Sequence, residues 1–98
     1  MNIVVTSPSF SKNRKLQKKI YHYFPNAKLN LEGKRFNKSE LIEFIKDTDA
    51  LIVGLEPMDI EVLSECTHLK IISKYGVGLN NIDLEESKKR DISLFSKC

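Results

Sequence analysis

Gly76 and Gly78 flank a single valine in the stretch KYGVGLNNID, residues 74–83, and that spacing admits one kind of chemistry. The 98-residue chain has only four glycines, and two of them stand here. Glycine takes positive φ without strain and lets a ligand approach the main chain closely. Two glycines around Val77 can turn successive N–H groups toward one point, which makes a concavity that binds anions. Asp83 opens a helical pattern just beyond, and the positive end of that helix adds to the field. Asn80 and Asn81 can hold the turn by side-chain to backbone hydrogen bonds. The same residues also describe a tight strand-to-helix turn that needs glycine for geometry alone. Both readings stand at this point.

Other chemistry finds few carriers. The sequence has no metal-ligand spacing and no nucleophile–base pair. Ser7, Ser9 and Ser11 lack a paired histidine and read as turn and cap residues. His22 falls among basic residues of a helical stretch. His68 falls between a helix and a strand, at the end of the sheet away from the glycines. Neither is placed for catalysis. GVGLNN lacks the last glycine of G-x-G-x-x-G, so Gly76 and Gly78 are not a dinucleotide fingerprint.

Composition narrows the class. The 41% apolar and 30% charged residues describe one folded domain with a modest core. A net charge of +3, from 16 Lys+Arg against 13 Asp+Glu, is too mild to indicate nucleic acid. The run Lys12, Arg14, Lys15, Lys18 and Lys19 reads as the solvated face of a helix. No run of about 18 apolar residues exists to span a membrane. MNIVVTSPSF has no basic segment ahead of an apolar block, so it is not a signal peptide. Cys66 and Cys98 then read as reduced thiols in a cytoplasm.

The elements that must hold the glycines alternate in period. Asn2–Thr6 (NIVVT) is a buried strand and TSPSFS a loop. Leu16, Ile20, Tyr23 and Phe24 make a helical stripe that Pro25-Asn26 stops. Ala27–Leu31 alternates like an edge strand. Asn37 caps a second helix with Glu40 three residues on, and Leu41, Ile42, Phe44 and Ile45 form its apolar face. Asp49–Val53 is another strand, followed by the loop Gly54–Pro57. Asp59 caps a third helix through Cys66, with Ile60, Val62 and Leu63 inward. Leu69–Ser73 is a fourth strand. Asp83 and Glu86 give a capping-box pattern for the next helix, and Ile92–Phe95 is a short fifth strand.

Strand and helix thus alternate throughout, which predicts an α/β fold: three layers around a parallel five-stranded sheet. The flavodoxin-like order 2-1-3-4-5 suits this length, and ligands in such sheets lie beyond the carboxyl ends of the strands. TSPSFS, GLEP and KYGVGLNN all lie there.

The stretch LKIISKYGVGLNNIDLEESKKRDISLF, residues 69–95, resembles the D-isomer-specific 2-hydroxyacid dehydrogenases, especially the phosphoglycerate-dehydrogenase-like branch. Their pattern runs L-K-x-I-x-x-x-G-V-G-x-D-N-I-D, then a short helix, then K/R-R-G-I and a strand. DALIVGLEPMDIEVLSECTHLK, residues 49–70, is similar to the segment before it. The resemblance runs from about Asp49 to Phe95 and is most specific at GVG-x-x-NID. It implies that the whole chain, residues 1–98, is a substrate-binding (catalytic) domain. The amides of Val77 and Gly78 would hold a substrate carboxylate. Leu55 and Glu56, in the loop Gly54–Pro57, would line the same cleft, with Lys74, Tyr75, Gly76 and Asn80 beside it. Asn81 matches the asparagine that braces the loop, and Asp83 starts the helix behind it. Asn80 stands where aspartate is commoner, and Asp91 where the family prefers glycine.

The implied reaction is NAD-dependent oxidation of a D-2-hydroxy acid to the 2-oxo acid. The family's Rossmann domain, substrate-gripping arginine and His–Glu pair have no counterpart in these residues. The expectation is therefore a chain with no catalytic residue, no metal and no NAD site of its own. It would bind a small 2-hydroxy or 2-oxo acid weakly, and neither nucleic acid nor membrane. It would associate as a homodimer or weak oligomer through apolar surface left uncovered on one side of the sheet. The alternatives are a non-catalytic small-acid-binding or protein-interaction domain, or a truncated gene product. A phosphoreceiver would need acidic residues where Thr6-Ser7 and Gly54-Leu55 stand, and TSPSFS lacks the glycines of a flavin phosphate loop.

Overall fold

The apolar runs IVV and ALIV become two of the three inner strands. The computed structural model describes residues 1–76 and 78–97, so the calls on Val77 and Cys98 lie outside the described residues. Strands β1 (Ile3–Val5), β2 (Lys28–Leu29), β3 (Ala50–Val53), β4 (Ile71–Tyr75) and β5 (Ser93–Lys97) form one sheet in the order β2-β1-β3-β4-β5. Every pairing is parallel. The expected order and fold class are those observed.

Helices α1 (Pro8–Lys12) and α2 (Arg14–Tyr23) join β1 to β2, and α3 (Lys38–Ile45), α4 (Ile60–Glu65) and α5 (Leu84–Lys89) make the later crossovers. Their starts are written in the sequence. Asn37 and Glu40 exchange side-chain and backbone hydrogen bonds as a capping box at α3. Asp59 caps α4 by accepting from Val62 N. Its carboxylate also meets Lys38 Nζ at 2.9 Å, which ties α3 to α4 and holds Asp59 below its ordinary pKa. At α5 only half of the expected box forms. Asp83 accepts from Glu86 N, but the Glu86 carboxylate turns to Arg90 Nε at 2.7 Å instead of reaching back.

Four expectations need correction. TSPSFS is not all loop: Ser7 caps a five-residue helix with Pro8 at its start. The amphipathic stripe of α2 turns inward through Ile20 and Tyr21, whereas Tyr23 is 73% exposed beside His22. Ile60 points outward at the first turn of α4, while Val62 and Leu63 are fully buried. β4 runs two residues beyond Ser73, so Lys74 and Tyr75 belong to the strand rather than to the loop after it.

The two faces of the sheet are covered unequally. On one, Val4, Leu51, Val53 and Ile72 pack with Leu41 and Ile45 of α3 and Val62 and Leu63 of α4. Cys66 lies in that core, its thiol free and pushed up to about 11 by burial. On the other face, Ile3 and Val5 pack with Phe10, Ile20 and Tyr21 of α1 and α2. That cover reaches β3 through Ala50 and Ile52. Further along this face, Ile71 is half-buried and Phe95 is 58% exposed, and neither joins either core cluster.

Candidate functional site

Three loops meet beyond the carboxyl ends of β1, β3 and β4, and one asparagine binds two of them together. Asn81 Nδ2 donates to Gly54 O at 3.0 Å and to Glu56 O at 2.8 Å. Its Oδ1 accepts from Lys74 Nζ at 2.8 Å, and its carbonyl accepts from Met58 N at 2.7 Å. Asp83 N donates to Met58 O, which completes a short parallel bridge between Met58 and Ile82. The loop after β3 is thereby fastened along the turn that leads into α5.

The loop after β3 is also shaped from within. Glu56 Oε1 accepts from Gly54 N at 3.0 Å and from Thr6 Oγ1 at 2.8 Å. Thr6, fully buried at the end of β1, thus fixes the third side of the cleft. Glu56 spends this oxygen on structure. Leu55 beside it is 86% exposed and free to face a ligand.

The glycines sit on this platform. Gly76 has φ 128° and Gly78 has φ 82°, values that an L side chain rarely adopts. Both are exposed, as is Asn80. A Cβ on Gly78 would meet nothing within 4 Å, so its front is open space. Gly76 is closer to the protein: a Cβ there would lie 3.9 Å from Lys74 Cε. Lys74 runs beneath the loop, only 2% exposed, with Nζ also donating to Gly54 O. Tyr75 turns to the opposite face and packs edge-on against Phe10, with ring centroids 5.3 Å apart.

The structure therefore brings together Lys74, Gly76, Gly78, Asn80 and Asn81 with Leu55 and Glu56. Asp83 stands behind them as the cap of α5. Thr6, Met58 and Phe10 were not anticipated. Thr6 ends a β-branched run and gave no sign of its partner; the parity of Ile3 and Val5 puts Phe10 and Tyr75 on one face only once the sheet order is known. His22 and His68 are exposed; His22 lies late in α2, and His68 precedes β4, at the opposite end of that strand from the glycine loop.

The dinucleotide fingerprint G-x-G-x-x-G is not completed in this loop. The place of the third fingerprint glycine is taken by Asn81, whose side chain is committed to Gly54, Glu56 and Lys74. Among the described residues no group of His, Cys, Asp and Glu is arranged to hold a metal ion. No helix among them is long and apolar enough to cross a membrane.

Comparison with known proteins shows which chains share this sequence and fold. A glyoxylate reductase of Korarchaeum cryptofilum is 44% identical over 57 residues, 57% of this chain and 17% of that protein. One from Thermococcus litoralis is 36% identical over 75 residues, 76% of this chain and 23% of that protein. The NAD+-bound 3-phosphoglycerate dehydrogenase of Entamoeba histolytica superposes with a TM-score of 0.80 at 29% identity, over 98% of this chain and 32% of that one. The chain thus spans at most about a third of the length of these relatives. The sequence pattern of the D-isomer specific 2-hydroxyacid dehydrogenase catalytic domain matches residues 3–97, and this chain belongs to that family.

Proposed function

We propose that this chain is the carboxylate-holding, substrate-binding part of an NAD-dependent D-2-hydroxyacid dehydrogenase, acting in the cytoplasm. Residues 1–98 form the domain that presents a small 2-hydroxy or 2-oxo acid to a hydride-transfer apparatus this domain does not contain. The observation that carries the reading is the pair of positive-φ glycines, Gly76 and Gly78, exposed above a bracing network of partly buried bonds. Main-chain N–H groups at Gly78, and at Val77 by the resemblance, supply the donors for a carboxylate. Leu55 and Asn80 border the space in front. Relatives named glyoxylate reductases make glyoxylate and glycolate the natural probes.

The chemistry divides between this chain and the cofactor. NAD would accept or deliver the hydride. The residues here orient the acid, and none serves as its base. Two or three neutral hydrogen bonds, each worth about 0.5–1.5 kcal/mol net, imply millimolar affinity at best.

Amide chemical shifts recorded during titration with glycolate test the reading. The expected changes centre on Tyr75 to Asn80, and calorimetry is expected to detect no NAD binding. Gly78→Val is expected to abolish glycolate binding. The reason is backbone conformation, since a Cβ at Gly78 would meet nothing within 4 Å but a β-branched residue is strained at φ 82° and would reshape the loop. NAD binding, or shifts that map to another surface, would overturn the proposal.

A second reading rests on the bare stretch of sheet at β4 and β5. Phe95 and Ile71 lie on the same face as α1 and α2 but outside the cluster those helices cover. Such a surface suits a homodimer or weak oligomer.

A further inference from the structure

Lys74 is an unusual resident of this site. It is 2% exposed and the largest fully buried side chain among the described residues. Its place follows from strand parity, since Ile72 and Lys74 both point to the face covered by α3 and α4. An ammonium group carries three N–H donors. Two are spent, on Gly54 O and on Asn81 Oδ1. Both acceptors are neutral. None of the five ion pairs among the described residues includes Lys74. Glu56, the carboxylate of the adjoining loop, has one oxygen committed to Thr6 and Gly54 N.

A buried charge without a counter-ion destabilises a fold, and a methionine or leucine would fill the same space at less cost. The charge lies under the loop that carries Gly76 and Gly78, with Cε 3.9 Å from a Cβ placed on Gly76. An anion seated on the amides of that loop would be the missing counter-ion. It would act across a low-dielectric layer, where Coulomb attraction over several ångströms remains substantial.

We propose that Lys74 is a positioning and specificity-determining residue whose buried ammonium selects an anionic substrate over its neutral counterpart without touching it. This rests on the carboxylate-binding reading of the same loop and adds the source of its charge preference. The main-chain donors can hydrogen-bond a carboxylate or an amide oxygen alike. Lys74 makes the difference between them.

The test compares glycolate with glycolamide, which share shape and differ by one charge. Binding is followed by the amide shifts of Gly76, Gly78 and Asn80 in the unaltered chain and in Lys74→Met. The unaltered chain is expected to prefer glycolate. Lys74→Met is expected to weaken glycolate on the order of tenfold, the size of a screened charge interaction at an effective dielectric near 20, and glycolamide less than about twofold. A merely structural lysine would weaken both ligands equally, and that result overturns the proposal. Should Lys74→Met fail to fold, the 15Nζ resonance of Lys74 in the unaltered chain decides. It is expected to move with glycolate and not with glycolamide; an unmoved resonance at saturating glycolate overturns the proposal. Glycolate bound at the loop with equal strength in both chains sinks only the role of Lys74. No binding at the loop in the unaltered chain sinks the carboxylate reading with it.

Discussion

Lys74 Nζ stands 2.8 Å from Asn81 Oδ1, so the end of β4 and the turn before α5 are joined across the loop that carries Gly76 and Gly78. The loop is therefore a span between two fixed posts. Removing the second post exposes what it holds. Asn81→Ala leaves Glu56 O without its side-chain donor and Gly54 O with Lys74 Nζ alone, and it takes one acceptor from a buried ammonium. The expected loss is about 2–4 kcal/mol of unfolding free energy, read from urea denaturation. A loss below about 1 kcal/mol would mean that the network is not formed in solution.

Asp91 ends α5 with φ 56°. Ile92 N donates to Ser87 O and Asp91 N to Lys88 O, which is the paired closure of a helix by a left-handed residue. Glycine would hold that φ without strain. Asp91→Gly is expected to stabilise the fold by about 1 kcal/mol, raising the melting temperature by about 4–8 °C. An unchanged or lower melting temperature would show that the aspartate is not strained.

Thr48 is 1% exposed, and its Oγ1 has no hydrogen-bond partner among the described residues. A buried hydroxyl without a partner carries a desolvation cost that a methyl group of the same size does not. Thr48→Val is expected to be neutral or to stabilise by up to about 1 kcal/mol. Destabilisation beyond that range in chemical denaturation would reveal a bond to the hydroxyl.

The bare face at β4 and β5 makes an association prediction. The chain is expected to sediment as a weak dimer or oligomer at high micromolar concentration. Phe95→Glu, which puts a charge on the exposed centre of that face, is expected to return it to monomer. A purely monomeric profile for the unaltered chain at that concentration rules the idea out.

The sheet was legible because its inner strands are buried on both faces or nearly so. NIVVT and DALIV carry no alternation to confuse them with surface strands. The caps at Asn37, Asp59 and Asp83 were legible because their chemistry is local. Helix α1 was hidden by its own good cap: Ser7 and Pro8 start it, yet five residues rich in serine look like loop. The extent of β4 was cut short because a lysine rarely belongs inside. Counting in twos from Ile72 places Lys74 inward, but only the sheet order says that α3 and α4 cover that side. The glycines announced the site. What braces them, from Thr6 through Glu56 to Asn81, joins residues 50 and 25 positions apart, and no local pattern encodes such a distance.

The two margins of the sheet differ in length. β2 offers two residues to the outside, and β5 offers five. An outer strand of two residues gives an incoming chain almost nothing to pair with, whereas one of five presents a row of N–H and C=O groups along its full extent. Growth by strand addition can therefore begin at β5 and has no matching start at β2. The molecule has a sticky end and a blunt one, and any fibrillar product of this chain should carry that polarity.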